Sequence, residues 1–274
     1  MRKMQVLGIE LQDHTVREAM KKTDAFLRDG KVSTIAYITM RGLMEAEGSQ
    51  ERQDFLRELD LTVPADSDIL RAAGIATRNR VREVDNDEFL TEFLRKIVRG
   101  RQTVYLLTST QGQLQLLRDG LLSYQENLRI IGSYSLDELE QDDDYLVNEI
   151  NVETPNVLIT NISSPQREAF FEANQMKLNV EVWLMLKDDV VHSNKHKGLF
   201  WILHDRVVRK LFKHKVVQYL NHEKESYGFG RESRCISSGV FCFLPGDEKN
   251  ARIYAVRLTN ANQSGICRAH PVSA

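Results

Sequence analysis

The sequence predicts an α/β fold: a mostly parallel sheet with flanking helices, followed by a basic C-terminal helix and an irregular tail. Two observations carry this. Short apolar, β-rich runs alternate with amphipathic helical stretches from the start of the chain to about residue 221. Several of those runs are continuously apolar, as strands covered on both faces are. Strands that alternate with helices of this length pair in parallel through right-handed crossovers, a Rossmann-like arrangement.

The strand candidates, in order, are Gln5–Ile9, Ser33–Thr39, Leu61–Val63, Thr103–Thr108, Leu128–Gly132, Asn156–Thr160 and Val180–Leu184. Helix starts are legible between them. Thr15-Val-Arg-Glu18 and Ser135-Leu-Asp-Glu138 have the spacing of capping boxes, in which hydroxyl and carboxylate satisfy each other's backbone donors. Ser164-Pro165 sets an N-cap before a proline at the first helical position. Asp137–Asp144 is a solvated acidic loop or helix start and is given no function.

Leu199–Leu220 carries Leu199, Ile202, Leu203, Val207, Leu211 and Val217 at helical spacings, with Arg206, Arg209, Lys210, Lys213 and Lys215 among them. Such a helix either lies in a membrane interface, with Arg206, Arg209, Lys210 and Lys213 on anionic head groups, or packs on the core with a solvated basic face. From Ser226 the chain turns Gly- and Ser-rich, with short strands expected around Val240–Leu244 and Ile253–Leu258. The expected division is an α/β domain over 1–222 and an appendage over 223–274.

Composition excludes several classes. At 42% hydrophobic and 28% charged the chain can bury a sizeable core and stay soluble. A formal net charge of -2 gives no global attraction to nucleic acid, so none is expected as a partner. The cysteines, Cys235, Cys242 and Cys267, form no CxxC pair, which argues against disulfides and zinc. His192-x3-His196 lacks the carboxylate–histidine framework of a metal site, so neither metal nor cofactor is expected. No run of about 18 apolar residues spans a membrane, and the N-terminus lacks a secretory pattern. A cytoplasmic location is expected.

Read in order, the segments resemble the WecG/TagA/CpsF family (glycosyltransferase family 26) over roughly residues 5–222. A strand ending in Thr39 leads into AYITMRGLMEAEGSQERQDFL, and a short apolar run ending in Pro64 leads into LDLTVPADSDILRAAGI. Then come Arg80-Val-Arg-Glu-Val-Asp85, the strand–helix unit VYLLTSTQGQLQLL, the unit NVLITNISSPQREAFF and the basic helix. Thr39, Arg80, Asp85, Pro165 and Glu168 match the family pattern. Elsewhere the chain departs from it. Ala65 stands where the family has its proposed catalytic Asp, with Asp66 one residue on, and Arg41 replaces an Asn. Thr108-Ser109 replaces Gly-Gly, Arg167 takes the place of a Gln, and Leu184-Met-Leu-Lys187-Asp-Asp189 replaces a glycine-rich strand end.

The resemblance implies an inverting, metal-independent hexosyltransferase. It would move a sugar from a UDP-sugar to a polyprenyl-diphosphate-linked sugar, as a homo-oligomer peripheral to the inner face of the cell membrane. The alternative is an inactive member that binds a nucleotide-sugar, a glycan or a partner enzyme. Sugar transfer needs a base for the acceptor hydroxyl and donors for the leaving diphosphate. Asp66 is the expected base with Asp68 in reserve, unless Asp66-Ser67-Asp68 only caps a helix. Arg80 and Arg167 suit phosphate because a guanidinium binds it bidentately. Gln166 and Arg167 open a helix whose free N–H groups favour anions, and Ser109 and Thr110 open another. Thr39 either bonds a sugar hydroxyl or ends its strand. Glu168 either contacts substrate or complements its helix dipole. Asp85 is carried by the resemblance alone.

Overall fold

The computed structural model describes residues 2–138, 143–187 and 199–226. The segment expected as one strand over Gln5–Ile9 is instead a hairpin, β1 (Lys3–Val6) paired antiparallel with β2 (Ile9–Gln12). Leu7 and Gly8 both adopt positive φ, the geometry of the tightest hairpin turns, which reverses the chain in mid-run. The expected strands over Val240–Leu244 and Ile253–Leu258, the three cysteines, and His192 and His196 lie outside the described residues.

Among the described residues the main sheet has six strands, all parallel: β3 (Ser33–Ile38), β4 (Leu61–Pro64), β5 (Thr103–Thr108), β6 (Arg129–Ser135), β7 (Val157–Asn161) and β8 (Val182–Met185). Their order across the sheet is β4-β3-β8-β7-β5-β6. The helices are α1 (Val16–Asp29), α2 (Met40–Ala46), α3 (Gln50–Glu58), α4 (Ser67–Ala72), α5 (Arg78–Asp85), α6 (Glu88–Arg99), α7 (Gln111–Tyr124), α8 (Asp143–Glu153), α9 (Gln166–Asn174) and α10 (Leu199–Ser226).

Side chains of a strand alternate between faces, and both faces are covered. Ile35, Leu61, Val104, Leu106, Ile159 and Leu184 join a core with Phe89, Phe93 and Leu94 of α6 and Leu117 and Leu121 of α7. On the alternate positions Trp183 is buried against Phe170 and Phe171 of α9, and Phe171 meets Phe55 of α3 edge-on. The Trp183 indole N–H donates to Thr160 Oγ1 at 3.0 Å, so this large side chain is buried with its polar atom satisfied.

Helix starts follow the sequence unevenly. Thr15 and Glu18 form the expected capping box on α1. The box expected at Ser135 yields only a 3-10 turn over Leu136–Glu138. At Ser164-Pro165 the helix begins one residue later than expected, with Pro165 as cap and Gln166 first. By Cα packing the chain divides between Val216 and Val217, within α10. Among the described residues no helix is long and apolar enough to cross a membrane.

Candidate active site

In open parallel sheets, ligands bind beyond the carboxyl ends of the strands, where neighbouring crossovers diverge. Here the chain leaves β5 toward β6 and leaves β7 toward β8, in opposite directions across the sheet. The loops after β5 and β7 therefore part, and the Ser163 N–H donates to Ser109 Oγ at 3.2 Å at the base of that divide.

Asp66 stands at the other end of the same edge. The β3–β4 ladder runs on to Ala65, whose N–H donates to Ile38 O at 2.8 Å. Asp66 then occupies the N-cap position of α4, yet its side chain makes no capping bond among the described residues. Its Oδ2 instead accepts from the Met40 N–H, at 3.2 Å, over the start of α2. Burial pushes its carboxyl above the usual value; the Met40 N–H and the charges of Lys187 and Arg209 oppose this, and Asp205 adds to it. Thr39, next to Met40, caps α2 by accepting from the Gly42 N–H at 3.0 Å.

Asp68 is buried and holds three cations: Arg71 at 3.2 Å, Arg209 at 3.1 Å and Lys213 at 3.6 Å. It thereby anchors α10, whose Phe212 is buried and whose Lys215 pairs with Glu47. The four basic residues expected at a membrane divide accordingly. Arg209 and Lys213 face Asp68, whereas Arg206 and Lys210 are exposed beside the half-exposed Val207 and Leu211.

Between the two ends of the edge lies a cluster that the sequence reading did not single out. Asp87 has positive φ just before α6; its Oδ1 accepts from Tyr37 OH at 3.2 Å, and its Oδ2 lies 3.3 Å from Lys187 Nζ. The same ammonium sits 5.8 Å from the centroid of the Tyr37 ring. Burial, and then Asp87, push the Tyr37 phenol well above its usual value, so it acts as a donor. Asn161, at the end of β7, donates from Nδ2 to Lys187 O at 2.8 Å and fixes the segment after β8.

Other expected residues are placed differently. Arg80 is gripped by Asp13 at 2.9 Å and Glu83 at 2.8 Å, beside a cavity of about 20 Å3 lined in part by Tyr37, Pro64 and Asp87. Asp85 is exposed at the end of α5. Thr110 caps α7 in a reciprocal box with Gln113, and the Gln111 N–H donates to both oxygens of Asp137 at 3.1 and 3.2 Å. Thus a carboxylate of the chain itself already sits at the helix start expected to bind phosphate.

At the start of α9, Gln166 is exposed, while Arg167 packs 5.5 Å over Phe55 and pairs with the buried Glu168 at 2.7 Å. Burial pushes the Glu168 carboxyl up, but the Arg167 guanidinium, together with the Glu168 backbone N–H and the Ser164 hydroxyl, holds the group below its ordinary value. Arg167 Nε, Glu168 Oε2 and the neighbouring Ser164 Oγ are fully buried without a well-formed hydrogen bond among the described residues, a costly arrangement.

Two comparisons bear on this geometry. The model of the glycosyl transferase WecG/TagA/CpsF family matches residues 4–187, a span that takes in the whole parallel sheet and ends on the lysine at its centre. Comparison with curated proteins gives no match.

Proposed function

The chain belongs to the glycosyl transferase WecG/TagA/CpsF family, and from that premise we propose that it moves a sugar from a UDP-sugar to a polyprenyl-diphosphate-linked sugar. The family implies a glycosyltransferase of cell-surface polysaccharide synthesis. The donor, the acceptor and an inverting, metal-independent step are our reading.

One observation carries it. The Asp66 carboxylate makes no capping bond to its own helix; it is turned toward the start of α2 and flanked by Lys187 and Arg209. In that position it takes the proton of the acceptor hydroxyl as the acceptor oxygen attacks the anomeric carbon. The bond from that carbon to the donor's β-phosphate oxygen breaks on the opposite face, and its electron pair leaves with UDP. A base with a raised pKa works near neutral pH better than an ordinary aspartate. The exposed apolar and basic side of α10, with Val207, Leu211, Arg206 and Lys210, supports a peripheral seat on an anionic membrane surface.

UDP release measured with the wild type and Asp66→Asn tests the catalytic reading. A wild-type rate that falls by orders of magnitude in the variant supports it. Equal, low rates favour a binding-only protein. That second reading has its own support: Asp137 occupies the start of α7, and Arg80 is taken by two carboxylates.

A further inference from the structure

The cations near the carboxyl edge of the sheet differ in how tightly their own chain holds them. Arg80 lies between Asp13 and Glu83, Arg209 between Asp68 and Asp205, and Arg167 pairs with Glu168 at 2.7 Å. Lys187 is held more loosely. Among the described residues a single carboxylate oxygen, of Asp87, lies within ion-pair distance of it, at 3.3 Å. That is longer than the roughly 2.7–2.9 Å of a strong charged hydrogen bond. Asp87 divides its two oxygens between Lys187 and the Tyr37 hydroxyl, and an ammonium has three protons to donate.

The backbone beneath this lysine, by contrast, is fixed. The Leu186 N–H donates to Thr160 O at 2.8 Å, and the Lys187 carbonyl accepts from Asn161 at 2.8 Å. A rigid base with a loosely held ammonium suits a group that exchanges one anionic partner for another.

Position narrows the partner. β8 lies two strands from β4, which carries Asp66, and two strands from β5, which carries Ser109. At the usual strand spacing each step is about 4.8 Å, so the backbone bearing Lys187 lies roughly 10 Å across the sheet from either strand, and its long side chain still reaches the surroundings of Asp66. A sugar diphosphate laid between the base and the divide after β5 and β7 has its phosphates over the middle of that span.

We infer that Lys187 receives the β-phosphate of a uridine-diphosphate donor, exchanging the Asp87 oxygen that holds its ammonium beforehand for the phosphate. The inference rests on the transferase reading above. As the anomeric carbon–oxygen bond breaks, the electron pair stays on the β-phosphate oxygen, and a Lys187 N–H donates to it. The acceptor's proton goes to Asp66, so Lys187 stabilises charge without giving up a proton.

Equilibrium binding of UDP and of UMP to the full chain, by calorimetry, tests this. The wild type is expected to prefer UDP. Lys187→Met lowers UDP affinity by about tenfold, the size of one charged hydrogen bond, and leaves UMP affinity unchanged. Asp87→Asn removes the competing carboxylate but keeps a group able to accept from Tyr37, so it raises the preference for UDP, and it decides the matter should Lys187→Met not fold. Undiminished UDP binding in Lys187→Met, equal loss of UDP and UMP, or a preference that does not rise in Asp87→Asn overturns the assignment to Lys187 and leaves the transferase reading standing. A wild type that binds neither nucleotide overturns the transferase reading and this inference with it.

Discussion

Asp66, the residue we propose as the base, sits where burial resists its ionisation, with the Met40 N–H as its hydrogen-bond donor. Its raised pKa has a consequence for stability. A carboxyl that is harder to ionise in the folded chain favours folding less once it is charged. This cost is absent below the unfolded pKa, grows as pH rises toward the folded one, and is complete above it. Asp66→Asn keeps an oxygen for the Met40 N–H, so it should raise the melting temperature at pH 7 while abolishing transfer. The stability gain should vanish near pH 3, and thermal melts at the two pH values check it; an equal gain at both would remove burial of charge as the cause. The sequence singled out Asp66 as a candidate, because a carboxylate just after a strand end, in a turn before a helix, is well placed for a base. It made Lys187 and Asp87 far less legible. Lys187 follows directly on an apolar run, a signal that was available but had no partner in view. Asp87 lies two residues beyond the Asp85 that the resemblance pointed to, and only the left-handed turn before α6 brings it to Tyr37. Juxtapositions across the sheet leave no trace in local spacing.

Elements were easier to read than their ends. The β3, β4, β5 and β7 segments stand within about a residue of where apolar runs put them, since burial on both faces leaves few polar residues to blur the limits. The first apolar run misled because a hairpin of two short strands carries the same residues as one longer strand; Gly8 was the only mark of the turn. Strand β6 shows a tighter local constraint. A Cβ at Gly132 would collide with the ring of Tyr105, which is fully buried and whose hydroxyl donates to Glu149 at 2.7 Å. Gly132→Ala should therefore destabilise the fold by about 1–3 kcal/mol, as overpacked sites do. Urea denaturation reads this directly, and an unchanged midpoint would mean that the Tyr105 ring moves aside at no cost. On α10 the helix was legible, but its expected apolar stripe was not the buried face. Among the described residues Val207, Leu211 and Val217 are exposed and Phe212 is the residue buried. Nor could the sequence divide its cations. That division depends on Asp68, some 140 positions earlier, which accepts Arg209 and Lys213 and leaves Arg206 and Lys210 outward.

For the molecule as a whole, that division tells which charges to reverse. Arg206→Glu with Lys210→Glu should weaken sedimentation with anionic liposomes on the order of tenfold or more, at about 1 kcal/mol per basic residue near the surface. Far-UV circular dichroism should not change. Sedimentation equal to wild type would leave α10 as ordinary packing. The order of the strands has a further consequence, for synthesis. β3 is made early, and it pairs with β4 on one side, but its other neighbour is β8, with Ser33 opposite Val182. While the ribosome works through the intervening chain, the β8-facing edge of β3 has its native partner still unmade. An open apolar edge of this kind is where nascent chains associate wrongly. A ribosome stalled before Val182 would leave an aggregation-prone fragment, so the late-made β8 governs whether the early-made β3 survives.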